Sequence, residues 1–228
     1  MLKKWLLKLA AVSDKNSFSY RCRKKRMQEF EKFYKEYVLS YEPDKKKKIL
    51  DLGGTINFWE TMDFKYFDTV FLTLLNLEKA VVPENYGNIS SVAGDAADLK
   101  QYRDQSFDLV FSNSVIEHVG GFEAQRRMAN EMIRTGKHGY LQTPNRYFIL
   151  EPHYLVPFFQ FFPVGFRAFL IRHFQLGNMP KAENNADALE LAESVRLLTE
   201  KELRMLFPGV RIRKEKIGFM TKSFYLYF

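Results

Sequence analysis

Two rhythms of apolar residues divide the chain. In RMQEFEKFYKEYVLSY (26–41), Phe30, Phe33, Tyr34 and Tyr37 recur at three- and four-residue spacing, which predicts a helix with one face on a core. EPDKKK then ends it. From residue 48 the apolar runs become short and continuous. KILDLGG (48–54), DTVFLTLLNL (68–77), ISSVAGDAADL (89–99), SFDLVFSNSVIEHV (106–119) and HGYLQTPN (138–145) each read as a strand covered on both faces and running into a turn. EAQRRMANEMIRTGK (123–137) between them is amphipathic, with Met128, Met132 and Ile133 on its apolar side. Near the end, TEKELRMLF (199–207) opens with Thr199 and has Glu202 three residues on, the pattern of a capping box. GVRIRKEKIGF and TKSFYLYF then close the chain as two strands.

Strands alternating with helices predict an α/β fold, a Rossmann-like, doubly wound and mostly parallel sheet, here of seven strands. The expected organisation is a basic N-terminal helical segment over residues 1–45 and one domain over 46–228. Residues 146–198 interrupt the alternation. The stretch RYFILEPHYLVPFFQFFPVGFRAFLIRHFQLG is rich in Phe and too long for an ordinary connection, so it reads as an aromatic-rich helical insertion forming a lid over the site.

Composition sharpens this picture in three places. The chain has 228 residues, 22 of them Phe, which supports a large core but leaves the aromatic excess to be explained. Its single cysteine, Cys22, excludes an internal disulfide and fits a reducing, cytoplasmic setting. The net charge of +8 is concentrated in RCRKKR (21–26) and DKKKKI (44–49), which points to anionic partners or to a solubilising surface. MLKKWLLKLAAVS at the N-terminus is too short and too interrupted by Lys8 for a secretion signal. As a helix it places Leu2, Trp5, Leu6 and Leu9 on one face, suited to a membrane interface or to packing on the domain. No run is long enough to span a bilayer. The aromatics lie at helix-core spacing and no nucleic-acid module is recognisable, so nucleic acid is disfavoured as a partner.

The chemistry gathers at strand ends. In a doubly wound sheet the ligand lies beyond the carboxyl ends of the strands, where strand order reverses. Asp51, Asn76, Asp95 and Asn113 all fall there. A dinucleotide fits poorly, because its pyrophosphate needs a glycine-rich turn with no carboxylate before it, and the second strand ends in Asn76 rather than a ribose-binding acid. S-adenosylmethionine fits better. It carries a sulfonium and an α-ammonium, which a carboxylate at Asp51 favours, and Gly53 and Gly54 allow close backbone approach. Asn76 can bond ribose hydroxyls and Asp95 can accept from the adenine amino group.

ILDLGG, LLNLE, GDAADL and FDLVFSNSVIEHV, in this order and spacing, resemble the class I S-adenosylmethionine-dependent methyltransferases, specifically those with a methyltransferase-11-like domain. LLTEKELRMLFPG is similar to the late helix of that family. The resemblance covers roughly residues 45–145 and 197–228. It implies that Asp51, Gly53 and Gly54 form the first cofactor loop, that Asn76 and Leu77 sit at the ribose and Asp95 and Ala96 at the adenine, and that Ser112 and Asn113 lie beside the methionine moiety or the acceptor. The chain departs from the family in lacking the usual third glycine, with Asn57 or Phe58 in its region, and in having an amide in place of the ribose acid. Some quinone-modifying relatives complete a metal site with a glutamate before their EH; Ser114 or Val115 stands there instead, so no metal is expected.

His118, after Glu117, and His153, in EPHY (151–154), are the candidate catalytic bases, since histidine suits deprotonation near neutral pH. The alternative for the first pair is a helix start that shapes the cofactor pocket; for the second it is a turn that anchors the lid. His153 and Tyr154 are placed to reach the acceptor from the lid, and Glu151 is a further candidate base. His138 and His173 read as structural and solvated. The Phe-rich lid with Arg146, Arg167 and Arg172 at its flanks fits a small or lipid-linked acceptor, a glycan intermediate among them, and a peripheral contact with an anionic membrane at the inner membrane surface. The competing class is a Rossmann-like scaffold that binds cofactor, partner or membrane without transferring methyl.

Overall fold

The computed structural model describes residues 17–228 apart from Asn85 and Asn178. The segment MLKKWLLKLAAVS, with its expected amphipathic face, lies outside the described residues. The first element is helix α1 (Phe18–Phe33), capped by Ser17, whose side chain accepts from Tyr20 N at 2.9 Å. A π-helical turn over Tyr34–Leu39 continues it. That wider turn carries more residues per revolution than an α-helix, so Tyr34 and Val38 face inward while Tyr37 is left exposed. The helical spacing of the sequence had placed Tyr37 on the core; the π turn is the reason it is not.

The strands are β1 (Lys47–Leu52), β2 (Val70–Asn76), β3 (Ile89–Ala93), β4 (Leu109–Asn113), β5 (Gly139–Pro144), β6 (Arg211–Ile217) and β7 (Met220–Tyr227). They form one sheet in the order β3-β2-β1-β4-β5-β7-β6. Strands β1 to β5 pair in parallel, and β7 runs antiparallel between β5 and β6. Strand order reverses between β1 and β4, which pair directly with Leu52 beside Ser112.

Alternation along each strand builds two cores. On one face Ile49, Leu72, Leu74, Leu109, Phe111 and Tyr140 pack under α1 and under α2 (Ile56–Met62). Phe30 of α1 makes ring contacts there with Tyr34, Trp59, Phe64, Phe111 and Tyr140, so much of the aromatic excess is a layer between helix and sheet. A buried ion pair, Arg26 Nη1 to Glu215 Oε2 at 2.8 Å, ties α1 to β6. On the other face Leu50, Leu52, Val110, Leu141 and Leu226 pack under α3 (Phe122–Thr135) and α6 (Glu200–Leu206). In α3 the buried side is Gln125, Met128, Ala129 and Met132, whereas Ile133 is 43% exposed. Ile133 therefore belongs to the solvent face: it follows Met132 by one residue, and the buried stripe runs through 125, 128, 129 and 132. The capping box at Thr199 and Glu202 forms as expected.

The insertion carries a 3-10 turn (Phe159–Phe161), helix α4 (Val164–His173) and helix α5 (Asn185–Glu193). It has a small core of its own, with Tyr154, Phe159, Ile171, Ala188 and Ala192 buried. Phe158, Phe161, Phe166, Phe169 and Phe174 point outward and are about half exposed.

Candidate active site at the strand ends

Asp51 is the fifth residue of β1, and its side chain lies on the α2 face beneath the turn that follows. Gly53 takes φ +72° there, which a residue with a side chain adopts only at a cost. A Cβ on Gly53 would also come within 2.5 Å of Val115, so the turn after β1 and the loop after β4 press together. A Cβ on Gly54 would collide with the Asp51 carboxylate. The second glycine is thus required by the acid three residues before it. Thr55 then caps α2, accepting from Phe58 N.

The sequence places a positive group beside Asp51. The protein itself supplies a neutral one: Trp59 Nε1 donates to Asp51 Oδ2 at 2.7 Å. Asp51 is 2% exposed, and burial pushes its carboxyl up to about 8, against the opposing effect of the Trp59 bond. Asn76 at the end of β2 is half-buried and donates through Nδ2 to Gly54 O at 2.9 Å, so it braces the glycine turn. Leu77 beside it is exposed. Asp95 is exposed, with Oδ1 accepting from Ala97 N at 2.8 Å in a tight turn that buries Ala96. Ser112 is fully buried and its Oγ has no hydrogen-bond partner among the described residues, while Asn113 is half-buried at the strand end.

The loop after β4 begins at Ser114, which adopts φ +57° and donates to Gln142 Oε1 at 2.8 Å. A 3-10 turn (Ile116–His118) follows. Its backbone is fixed from behind, by Gln125 Nε2 to Ile116 O at 3.0 Å and by Arg196 N to Glu117 O at 2.8 Å. The Glu117 side chain is completely buried. Its Oε2 accepts from Thr143 Oγ1 at 2.9 Å, and its Oε1 has no partner among the described residues. Burial pushes this carboxyl up to about 7.

The insertion delivers the remaining groups. Glu151 is buried and accepts from three donors: His153 N at 2.8 Å, Tyr154 N at 2.7 Å and His153 Nδ1 at 2.6 Å. This orients the His153 ring so that Nε2 meets His118 Nε2 at 3.1 Å. Burial opposes protonation of His153, but the bond and the charge of Glu151 outweigh it and raise the pKa. Burial and then the charge of His153 lower His118 to about 4, although part of that residue is open to solvent. Tyr154, also a candidate to reach the acceptor, turns the other way. It is buried in the insertion core with its hydroxyl donating to Leu191 O at 2.7 Å.

Ligand atoms of Glu117, His118 and His153 all lie within 4.8 Å of one another. His153, delivered by the insertion, is the third member of this group. Trp59, Thr143 and Gln142 are contributors that the sequence reading did not single out. Helix α2 has only seven residues, too few to show a period, and the β5 side chains become partners only through strand pairing.

Residues 61–141 match the sequence profile of the methyltransferase domain family. The matched stretch begins after the glycine turn. No curated protein matches the chain in sequence. Among solved structures, the chain is similar to a S-adenosylmethionine-dependent methyltransferase from Methanosarcina mazei, at 15% identity and TM-score 0.48, over 83% of this chain and 95% of that one. It is similar to the CurJ carbon methyltransferase at 8% identity and TM-score 0.52, over 90% of this chain and 53% of that one. The N-methyltransferase NodS from Bradyrhizobium japonicum WM9, in complex with S-adenosyl-L-homocysteine, shares 11% identity and TM-score 0.46, over 88% and 85% of the two chains. The family match over residues 61–141 and the sheet order described above are consistent with a class I S-adenosylmethionine-dependent methyltransferase.

Proposed function

We propose that the methyl acceptor is a small or lipid-linked molecule, a glycan intermediate among them, that enters between the loop after β4 and the insertion. The observation that carries this is the chain of contacts from Glu151 through His153 to His118, which brings two imidazoles from separate segments to one place at the sheet's carboxyl end. In this reading Asp51, with Gly53 and Gly54, receives the methionine end of the cofactor, and its raised carboxyl gains a cation to ionise against. Asn76, beside Leu77, offers Oδ1 to the ribose while Nδ2 holds Gly54. Asp95 and Ala96 border the adenine, and Ser112 and Asn113 border the methionine moiety.

The reaction is an in-line displacement. The new bond to the acceptor forms as the sulfonium–methyl bond breaks, S-adenosylhomocysteine leaves uncharged at sulfur, and the acceptor's proton passes to water. Positioning alone is able to supply roughly 7–11 kcal/mol of the barrier reduction. The test is a calorimetric titration with S-adenosylmethionine and, separately, NAD, followed by an acceptor screen with labelled methyl groups. Micromolar binding of the first alone is expected; binding of neither would overturn the assignment of the β1 turn.

The lipid-linked form of this reading is supported by the outward phenylalanines of the insertion, with Phe166 and Phe169 stacked 6.4 Å apart and Arg167 and Arg172 on the same helix. Among the described residues no helix is long and apolar enough to cross a membrane, so such a contact would be peripheral. Co-sedimentation with anionic vesicles at low salt is expected, and its absence would remove the membrane from the picture.

A further inference from the structure

We propose that Glu117, His118 and His153 hold a divalent transition-metal ion of the zinc class, leaving a coordination position open for an oxygen of the acceptor. The inference rests on the reading that the acceptor enters at this mouth.

Three observations converge on it. Glu117 Oε1 is buried without a hydrogen-bond partner among the described residues, although Oε2 of the same carboxylate is satisfied by Thr143. Leaving a carboxylate oxygen in this condition is costly unless a cation completes it. Next, the two Nε2 atoms face each other at 3.1 Å. Two nitrogens bound to one ion at about 2.0–2.1 Å are themselves about 2.9–3.4 Å apart for bond angles between octahedral and tetrahedral. Finally, the ring of His153 is held from behind. Its Nδ1 proton is committed to Glu151, which leaves the Nε2 lone pair directed at His118. A carboxylate behind a ligating imidazole is the usual means of fixing the tautomer at a metal.

The gap between the imidazoles holds either a shared proton or a metal ion. The unpartnered Glu117 oxygen favours the metal, since a shared proton gives it nothing to bond. Two histidines and one glutamate form a three-ligand set of the kind that keeps a position for water or substrate, not a closed four-ligand structural site. Imidazole and carboxylate suit zinc, and cobalt serves as its visible surrogate.

The experiment uses the full chain without an affinity tag, stripped with chelator and titrated with Co²⁺ and Zn²⁺. One ion per chain, visible Co²⁺ absorption bands displaced by Zn²⁺, and a metal-dependent rise in Tm are expected. Glu117→Gln and His153→Gln are each expected to abolish the bands, and Glu151→Gln to weaken binding roughly 10–100-fold. His138→Gln is expected to leave binding unchanged. No stoichiometric binding by the unaltered chain, or unchanged binding in His153→Gln, would overturn the proposal. S-adenosylmethionine is titrated on the same sample. Cofactor binding without metal binding defeats the metal site alone, whereas metal binding without cofactor binding defeats the assignment of the β1 turn alone.

Discussion

Asp51 and Glu117 sit at the carboxyl ends of neighbouring strands, and both are acids that burial keeps partly protonated near neutral pH, at about 8 and about 7. Their surroundings differ. Asp51 lies among aromatic rings, with the indole of Trp59 as its hydrogen-bond donor. Glu117 lies against two imidazoles, and a second carboxylate, Glu151, stands behind one of them. A buried acid with only a neutral donor is poised for a cation that arrives with a ligand. A buried acid among bases belongs to a site that handles protons or metal. On the proposed function, this difference gives cofactor binding to the β1 end and acceptor chemistry to the β4 end.

The division between the two ends is most severely tested at His153. His153→Gln is expected to lower methyl transfer by about 10²–10⁴-fold while leaving S-adenosylmethionine affinity unchanged. Loss of cofactor affinity in that variant, measured by calorimetry, would merge the two ends into one. Asp51→Ala should do the reverse and weaken cofactor binding by about 30–1000-fold, as removal of one partner from a buried charge pair does. Near-normal affinity would end its role. Gly54→Ala drives a methyl group into the Asp51 carboxylate and should lower stability by about 1–3 kcal/mol in thermal unfolding, with weaker cofactor binding.

The pH dependence separates the acids without any mutation. Binding a cationic cofactor selects ionised Asp51. Below its raised pKa the observed affinity should therefore climb with pH, by up to about tenfold per unit between pH 6 and 7.5, with release of a proton. The same titration in Asp51→Asn should be flat. The sign reverses for the cofactor-free fold: the protonated form is the one that burial favours, so the contribution of Asp51 to stability is lost as pH rises toward 8. The smallest effect belongs to Trp59→Phe. Losing its bond should cost about 1 kcal/mol and move the affinity curve to higher pH, because that bond lowers the Asp51 pKa.

The strand ends were legible because a buried strand that finishes in a polar residue is conspicuous, and Asp51, Asn76, Asp95 and Asn113 all do so or turn immediately after. Ser112 and Asn113 were reachable by the same logic. What could not be read was pairing across the fold. Thr143 and Gln142 meet Glu117 and Ser114 only because β4 and β5 align, and nothing near residue 117 announces them. The insertion has no clean period, so His153 was visible as a residue type but not as the partner of His118. Tyr154 looked equally suited to the acceptor until its hydroxyl was found on Leu191. Ile133 and Tyr37 show the limit of periodicity, since one residue or one π turn moves a side chain from core to solvent.

The ion pair between Arg26 and Glu215 joins residues 189 positions apart in sequence. As the polypeptide is made, helix α1 emerges carrying a guanidinium destined for burial, and its counterion follows 189 residues later. At about 5–20 residues per second, the helix waits roughly 10–40 s before β6 and β7 exist to receive it. Until then Arg26 has no place in an apolar interior, and the sheet's aromatic face lacks its cover. Completion of this fold is therefore a late event in synthesis of the domain, and a nascent chain stalled before residue 211 would present Phe30, Trp59, Phe111 and Tyr140 to chaperones as one unfinished surface.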